Sequence, residues 1–304
     1  MNDLVNFRGT KIIRKDKELL EALESSLNLT AILDTKRYPK SRSFFLFDIE
    51  DFRVVKLDLS HLNLRIVPEP LFSLSMLRSL YLFKNKIEQI SRSISSLKFL
   101  SQLNLDYNNL NALPDSFATL KNLRHLDLDA NHFKKFPNCI CNLSNLRRLH
   151  FRGDSNAHPI EIKRLPEIFG ALTRLETLIM SDLGLQSLPD TFGNLINLKF
   201  LNLEKNKLTK LPISFGNLFN LKECDLWNNK ITCLPESFGS LESLKKLNLA
   251  HNPLSYIPES FAKLDAKLYL IIDNKRIPNV PEAVSDKFSF LYRAFRRKKK
   301  YNLK

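Results

Sequence analysis

The chain has 304 residues, 43% of them apolar, and sets 47 Lys and Arg against 32 Asp and Glu for a formal charge of +15. That surplus raises nucleic acid, an anionic lipid surface or an acidic protein as partners, while no run of about 18 apolar residues exists to span a bilayer as a helix. The N-terminal stretch carries Asp3 and never builds the apolar core of a secretory signal. Cys139, Cys141, Cys224 and Cys233 lack the spacing of a disulfide framework, so the expected location is cytoplasmic.

In chain order, residues 1–53 stand apart from the rest of the chain. Leu19, Leu20, Leu23 and Leu27 fall on one helical face after Asp16, and Pro39 precedes the apolar segment Phe44, Phe45, Leu46, Phe47 and Ile49. This reads as a helix plus apolar segment capping the apolar end of an array, the rival reading being a partner-binding helix. Residues 54–286 form the array. It opens with Val54, Leu57, Leu59, Leu64 and Val67, and later units begin at Leu77, Leu100, Leu123, Leu146, Leu175, Leu198, Leu221 and Leu244. A degenerate last unit carries Leu270, Ile272, Ile277, Val280 and Val284, which makes ten. Each step is 23 residues except Leu146 to Leu175, which is 29 and places an insertion near 153–163 around His158-Pro159. Residues 287–304 put Phe288, Leu291, Tyr292 and Phe295 on one face of a closing helix and end in the basic run Arg293, Arg296, Arg297, Lys298, Lys299 and Lys300. That run is either a solvated end or a patch for anionic membrane or nucleic acid.

The unit from Leu198 supplies the pattern. Leu198, Leu201, Leu203, Asn206 and Leu208 match L-x-x-L-x-L-x-x-N-x-L, and Leu211, Pro212, Phe215 and Leu218 match L-P-x-x-F-x-x-L. The chain therefore resembles the leucine-rich repeat, in the 23-residue intracellular subclass of Ras-group and Scribble-like scaffolds. The resemblance implies an α/β fold: a single right-handed solenoid of about ten repeats, with a concave parallel sheet, short helical or extended segments on the convex side, and caps at both ends. The L-x-L pair reads as a short strand with its leucines buried. Asn85, Asn108, Asn131, Asn206, Asn229 and Asn252 read as a buried ladder, lapsing at Leu62, Leu183 and Lys275, with Asp154 substituting once. Phe117, Phe169, Phe192, Phe215, Phe238 and Phe261 read as a stacked spine, and Gly170, Gly193, Gly216 and Gly239 as turn glycines.

No nucleotide-binding loop, zinc-protease or serine-hydrolase motif is present, so no enzyme activity, cofactor or metal is expected. Cys139-x-Cys141 lacks a second ligand pair at zinc spacing. Arg152-Gly153-Asp154-Ser155, Asn28-Leu-Thr30 and Asn142-Leu-Ser144 are short adhesion and glycosylation patterns that fail on the expected compartment. What remains are the residues that the buried leucines force outward. Tyr81, Phe83 and Tyr107 make one aromatic cluster, and Phe200 and Trp227 another. Beside them lie the acids Asp106, Asp127, Asp129, Glu204 and Asp225, interrupted by Arg148, His150 and Arg152. Interfaces favour Trp, Tyr and Arg at their energetic centres, so these residues are the expected protein-binding site. The alternative is aromatics packed on their neighbours across the sheet. By the family resemblance the partner is a small GTPase, phosphatase or kinase, and nucleic acid or membrane would enter only through the tail.

Overall fold

Leucines at alternate positions of a short extended run all face one way, and stacking such runs buries that face. The computed structural model describes residues 3–33, 44–154, 162–273, 277 and 279–288. It divides into two compact units, Met1–Phe151 and Arg152–Lys304.

The first unit opens with an antiparallel hairpin of β1 (Leu4–Phe7) and β2 (Thr10–Ile13). Arg8 and Gly9, with φ of 50° and 83°, make the kind of two-residue turn that suits twisted strands. Helix α1 (Arg14–Leu27) comes next and buries Asp16, Leu20 and Leu23 on one stripe. Strand β3 (Thr30–Leu33) runs parallel to β4 (Phe44–Glu50), which doubles back against β5 (Arg53–Asp58). The expected apolar segment is thus itself a strand. The hairpin escaped the sequence reading because four-residue strands are too short for periodicity to register.

From β5 the chain repeats. Strands β6 (Ser79–Tyr81), β7 (Gln102–Asn104), β8 (His125–Asp127) and β9 (Arg148–His150) stack in parallel, with Leu57, Leu80, Leu103, Leu126 and Leu149 in register and buried. The second unit repeats the plan in β10 (Thr177–Ile179), β11 (Phe200–Asn202), β12 (Glu223–Asp225), β13 (Lys246–Asn248) and β14 (Tyr269–Ile271), and ends with α2 (Glu282–Lys287). Phe288 lies at the end of α2; the rest of the expected closing helix and the basic run lie outside the described residues, as do Lys275 and the His158-Pro159 part of the insertion.

The return path on the far side of each strand is a five-residue 3₁₀ turn. In the second unit these are Glu167–Ala171, Asp190–Asn194, Ile213–Asn217, Glu236–Ser240 and Glu259–Lys263. Each is preceded by a proline whose carbonyl accepts the phenylalanine N–H three residues on, as from Phe192 to Pro189 at 3.0 Å. The rings then coincide from repeat to repeat. Phe169, Phe192, Phe215, Phe238 and Phe261 stack with centroids 5.8–6.1 Å apart, and Phe288 closes the column edge-on at 5.5 Å. Phe117, in the first unit, has isoleucines at its repeat equivalents, Ile94 and Ile140, all buried.

The glycines beside these rings lie in the 3₁₀ turns, as expected, but not for the sake of a positive φ, which is confined to Gly9 and Gly184 among the glycines described. They are needed for close approach. A Cβ on Gly216 would stand 2.2 Å from the Ser237 carbonyl oxygen of the next repeat, and one on Gly239 2.1 Å from that of Ser260. No helix among the described residues is long and apolar enough to cross a membrane.

These contacts set the cost of two substitutions. Gly216→Ala forces neighbouring repeats apart and should cost about 1–3 kcal/mol, as overpacking does. Asp16 is fully buried, with Arg53 Nε and Nη2 donating to its carboxylate at 3.0 and 3.1 Å and Val54 N at 2.8 Å. Asp16→Ala strands the guanidinium and should cost about 3 kcal/mol. Urea unfolding midpoints at unchanged slope would check both, and a midpoint equal to wild type would contradict either account.

Candidate functional site

Each L-x-L strand buries its leucines and leaves the intervening residue on the open face. In the first unit the register places Asp58, Tyr81, Asn104, Asp127 and His150 side by side. A second column, Ser60, Phe83, Asp106 and Asp129, lies two residues further on, tied across strands by His61 N to Phe83 O, Lys84 N to Asp106 O and Tyr107 N to Asp129 O at 2.8–2.9 Å. The donors of those bonds, and Ala130 at the equivalent position of the next repeat, share one conformation. His61, Lys84, Tyr107 and Ala130 have φ of 63°, 56°, 53° and 52°, the left-handed region that L residues enter only at a cost. Here it turns the chain from the strand toward the buried asparagine.

This kink sets the aromatic geometry. Phe83 is bracketed edge-on by His61 of the preceding repeat, 5.1 Å away, and by Tyr107 of the following one, 5.5 Å away. Lys84 Nζ lies 5.9 Å from the Phe83 ring, within cation–π range, and Tyr107 is 42% exposed. Tyr81 belongs to a separate group: its hydroxyl donates to Gln102 Oε1 at 2.8 Å, and Lys56 Nζ stands 5.8 Å from its ring.

Next to the aromatics, three carboxylates crowd. Asn104 Nδ2 donates to both Asp106 Oδ2 and Asp127 Oδ2 at 3.2 and 3.3 Å, and Asp106 Oδ1 accepts the Asp129 N–H at 2.6 Å. Burial, then the charges of Asp129 and Asp127, push Asp106 up to about 7. Asp127 is also raised, chiefly by burial, with Arg148 opposing. Arg148 Nε and His150 Nδ1 each lie 3.5 Å from Asp127 Oδ1, and Arg148 Nη2 is 3.3 Å from His150 Nδ1. Asp106, Asp127, Asp129, Arg148 and His150 are therefore one electrostatic group.

The second unit bears the remaining expected residues. Trp227 occupies the column of Ser181, Glu204 and Ala250 and is bracketed as Phe83 is: Lys205 Nζ lies 5.8 Å from its ring and the His251 ring meets it edge-on at 5.4 Å. Both flanking residues are left-handed, at 53° and 59°. Phe200 begins β11, in register with Thr177 and Glu223, so it sits at the opposite end of the strand from the Trp227 column and the two form no cluster. Asp225 is largely spent on structure, its Oδ1 accepting Trp227 N at 2.8 Å and its Oδ2 accepting Asn248 Nδ2 at 3.2 Å. Asn202 likewise accepts the half-buried Glu204's N–H at 2.9 Å. Arg152, at the start of this unit, is exposed.

Three family models match separate stretches of this architecture: a leucine-rich repeat region over residues 39–160, and leucine-rich repeats over 197–218 and 219–277. The chain is a leucine-rich-repeat protein. Among solved structures it is similar to the leucine-rich-repeat domain of the type III effector XopL, at 25% identity and a TM-score of 0.61 over 72% of this chain and 76% of that one. It is similar in fold to the ectodomain of the Arabidopsis thaliana receptor kinase GASSHO1/SCHENGEN3, solved with CASPARIAN STRIP INTEGRITY FACTOR 2, at 24% identity, a TM-score of 0.61 and 78% coverage. The plant peptide hormone receptor RGFR1, in complex with RGF2, matches at 25% identity with a TM-score of 0.53 over 86% of the chain. The alignments span only 32% and 50% of those two receptor chains. No curated protein sequence gives a significant match.

Sequence reasoning about this leucine-rich-repeat surface reached Lys205, in the variable set Phe200, Asn202, Glu204 and Lys205 of its unit, but missed His61, Lys84 and His251. The signal was available as the residue just before each ladder asparagine, but the column holds no single chemical type. The acids yield a pH prediction. Asp106 has its pKa raised from 3.8 to about 7, so between those values the folded protein holds a proton the unfolded chain releases, and stability falls as pH rises through that window. Asp106→Asn should make the protein more stable than wild type by on the order of 1 kcal/mol at about pH 8, with the gain vanishing at about pH 4. Melting curves of both proteins across this range would check it, and parallel curves would contradict it.

Proposed function

We propose that the protein is a non-catalytic interaction module that binds a protein partner on its open sheet face. The observation carrying this is the repeated bracket: Phe83 between His61 and Tyr107, and Trp227 between Lys205 and His251. Aromatics held in place by their neighbours lose little freedom on binding, which suits them to be interface anchors. The similar receptor RGFR1, solved with RGF2, supports a sheet scaffold of this kind taking a peptide or protein ligand. By resemblance of the repeat to the Ras-group and Scribble-like subclass, the partner is a small GTPase, phosphatase or kinase, and the protein is a signalling scaffold. Four free thiols, Cys139, Cys141, Cys224 and Cys233, accord with a reducing, cytoplasmic setting.

A second reading draws on the run Arg293 and Arg296 to Lys300, which would dock the protein on anionic membrane or nucleic acid. Affinity capture separates the two. Phe83→Ala with Tyr107→Ala should lose the partners that wild type retains, whereas Ile213→Ala, exposed on the 3₁₀ side, should keep them. Deleting residues 293–304 should likewise leave capture intact. If the aromatic variant keeps every partner and the deletion loses them, the sheet-face reading is wrong and the tail reading replaces it.

A further inference from the structure

The surplus positive charge has a definite place in the fold. Along the open face of the first unit the side chains are acidic at Asp58, Asp106, Asp127 and Asp129. Just before each strand the chemistry reverses. The residue after each repeat's opening leucine is Arg78, Ser101, Arg124 and Arg147 in turn, with Arg148 beginning β9. Arg78 is committed to Glu50 through an ion pair. Arg124, Arg147 and Arg148 are exposed, and the Arg124 side chain makes no hydrogen bond or ion pair among the described residues.

Their stems are held by the backbone. Arg147 N and Arg148 N both donate to Arg124 O, at 2.8 and 2.9 Å, and Arg124 N and His125 N both donate to Ser101 O, at 2.8 and 3.0 Å. Adjacent strands lie about 4.8 Å apart, so the three guanidiniums rise from one small area. His125 lies within their field. Burial lowers its pKa first, and then the charges of Arg148, Arg124 and Arg147 lower it further, which keeps the imidazole neutral and leaves the positive charge to the arginines. Asp127 Oδ1 lies 3.5 Å from both Arg148 Nε and His150 Nδ1, which compensates part of the Arg148 charge.

We propose that Arg124, Arg147 and Arg148 form a receiving row for an acidic peptide segment of the protein partner. This deepens the reading of the sheet face as a protein-binding surface and rests on it. The width of the row selects the ligand. Asp127 stands at the Arg148 edge of the row, its Oδ1 3.5 Å from Arg148 Nε, and Asp129 lies four residues beyond His125, about 13 Å along the chain at a strand's rise. A nucleic-acid duplex or a lipid surface laid on the arginines would bring its own negative charge over those acids. A single extended chain is narrow enough to reach the guanidiniums from the side away from Asp127 and leave Asp129 uncovered, and arginine's planar fork suits paired contacts with carboxylates.

Fluorescence anisotropy with a labelled oligoglutamate peptide on the full chain tests this. Oligoglutamate should bind, oligoglutamine of equal length should not, and added salt should weaken binding. Arg124→Glu with Arg147→Glu, at exposed positions that leave folding intact by circular dichroism, should weaken it about tenfold or more. Ile213→Ala, on the 3₁₀ side, should leave it unchanged. Absent peptide binding, or binding unaffected by the arginine variant, overturns the row, and so does tighter arginine-dependent binding of single-stranded RNA or phosphatidylserine vesicles. If the aromatic variant loses cellular partners while oligoglutamate fails to bind, this inference falls and the sheet-face reading stands.

Discussion

Every column of side chains on this protein depends on a buried carboxamide. Asn108 donates from Nδ2 to Leu82 O, 26 residues back, and to Leu105 O, three back, while its Oδ1 accepts from Ile87 N, 21 back. Asn131, Asn229 and Asn252 repeat the same three bonds at the same separations. One side chain thus satisfies three backbone groups drawn from two repeats, groups that would otherwise be buried without partners. A period of 23 is the consequence: a repeat one residue longer within the strand region would carry these groups out of reach. The lapses obey the same logic. Where Leu62 and Leu183 replace asparagine, the next asparagine takes on their N–H groups as well, Leu62 N donating to Asn85 Oδ1 at 3.0 Å and Leu183 N to Asn206 Oδ1 at 3.2 Å.

The far side is held by two further ladders of the same kind. Ser116, Thr191, Ser214, Ser237 and Ser260 donate their hydroxyls to carbonyls 24 residues back, in the preceding repeat. Asn122, Asn145, Asn197 and Asn220 do so with their carboxamides. The missing Cβ of Gly170, Gly193, Gly216 and Gly239 lets the hydroxyl-bearing turns approach this closely. Most of the recurring polar residues are therefore consumed in stacking repeats and are not available to a ligand.

That division explains what could be read in advance. The leucine slots, the asparagine ladder and the phenylalanine column of the second unit recur at fixed spacing, because their physical jobs recur, and so the sequence displays them. The left-handed column recurs just as strictly in φ but holds His61, Lys84, Tyr107, Ala130, Asp182, Lys205, Asn228 and His251. What is common to those residues is a backbone conformation, which composition does not reveal. The same blindness hid the true role of the Phe-Gly glycines, since close approach and positive φ both select glycine. It also made Phe200 and Trp227 look like neighbours, when strand register sets them at opposite ends of adjacent strands.

The left-handed column is where structure and recognition meet. A residue forced into that conformation cannot follow the strand's alternation, so its side chain leans across to the neighbouring repeat, as His61 and Tyr107 lean on Phe83 and as Lys205 and His251 lean on Trp227. The backbone fixes the position and leaves the side chain outside the leucine core. Substitution there changes what the face presents without touching the leucine core or the asparagine ladder. In the strand column itself, Asp58, Asn104, Asn202, Asp225 and Asn248 each accept the N–H two residues on, so exchanging them also disturbs the turn. Specificity on a surface built this way is carried by the bracketing residues and by the charged rows beside them, because those are the positions the repeat leaves free.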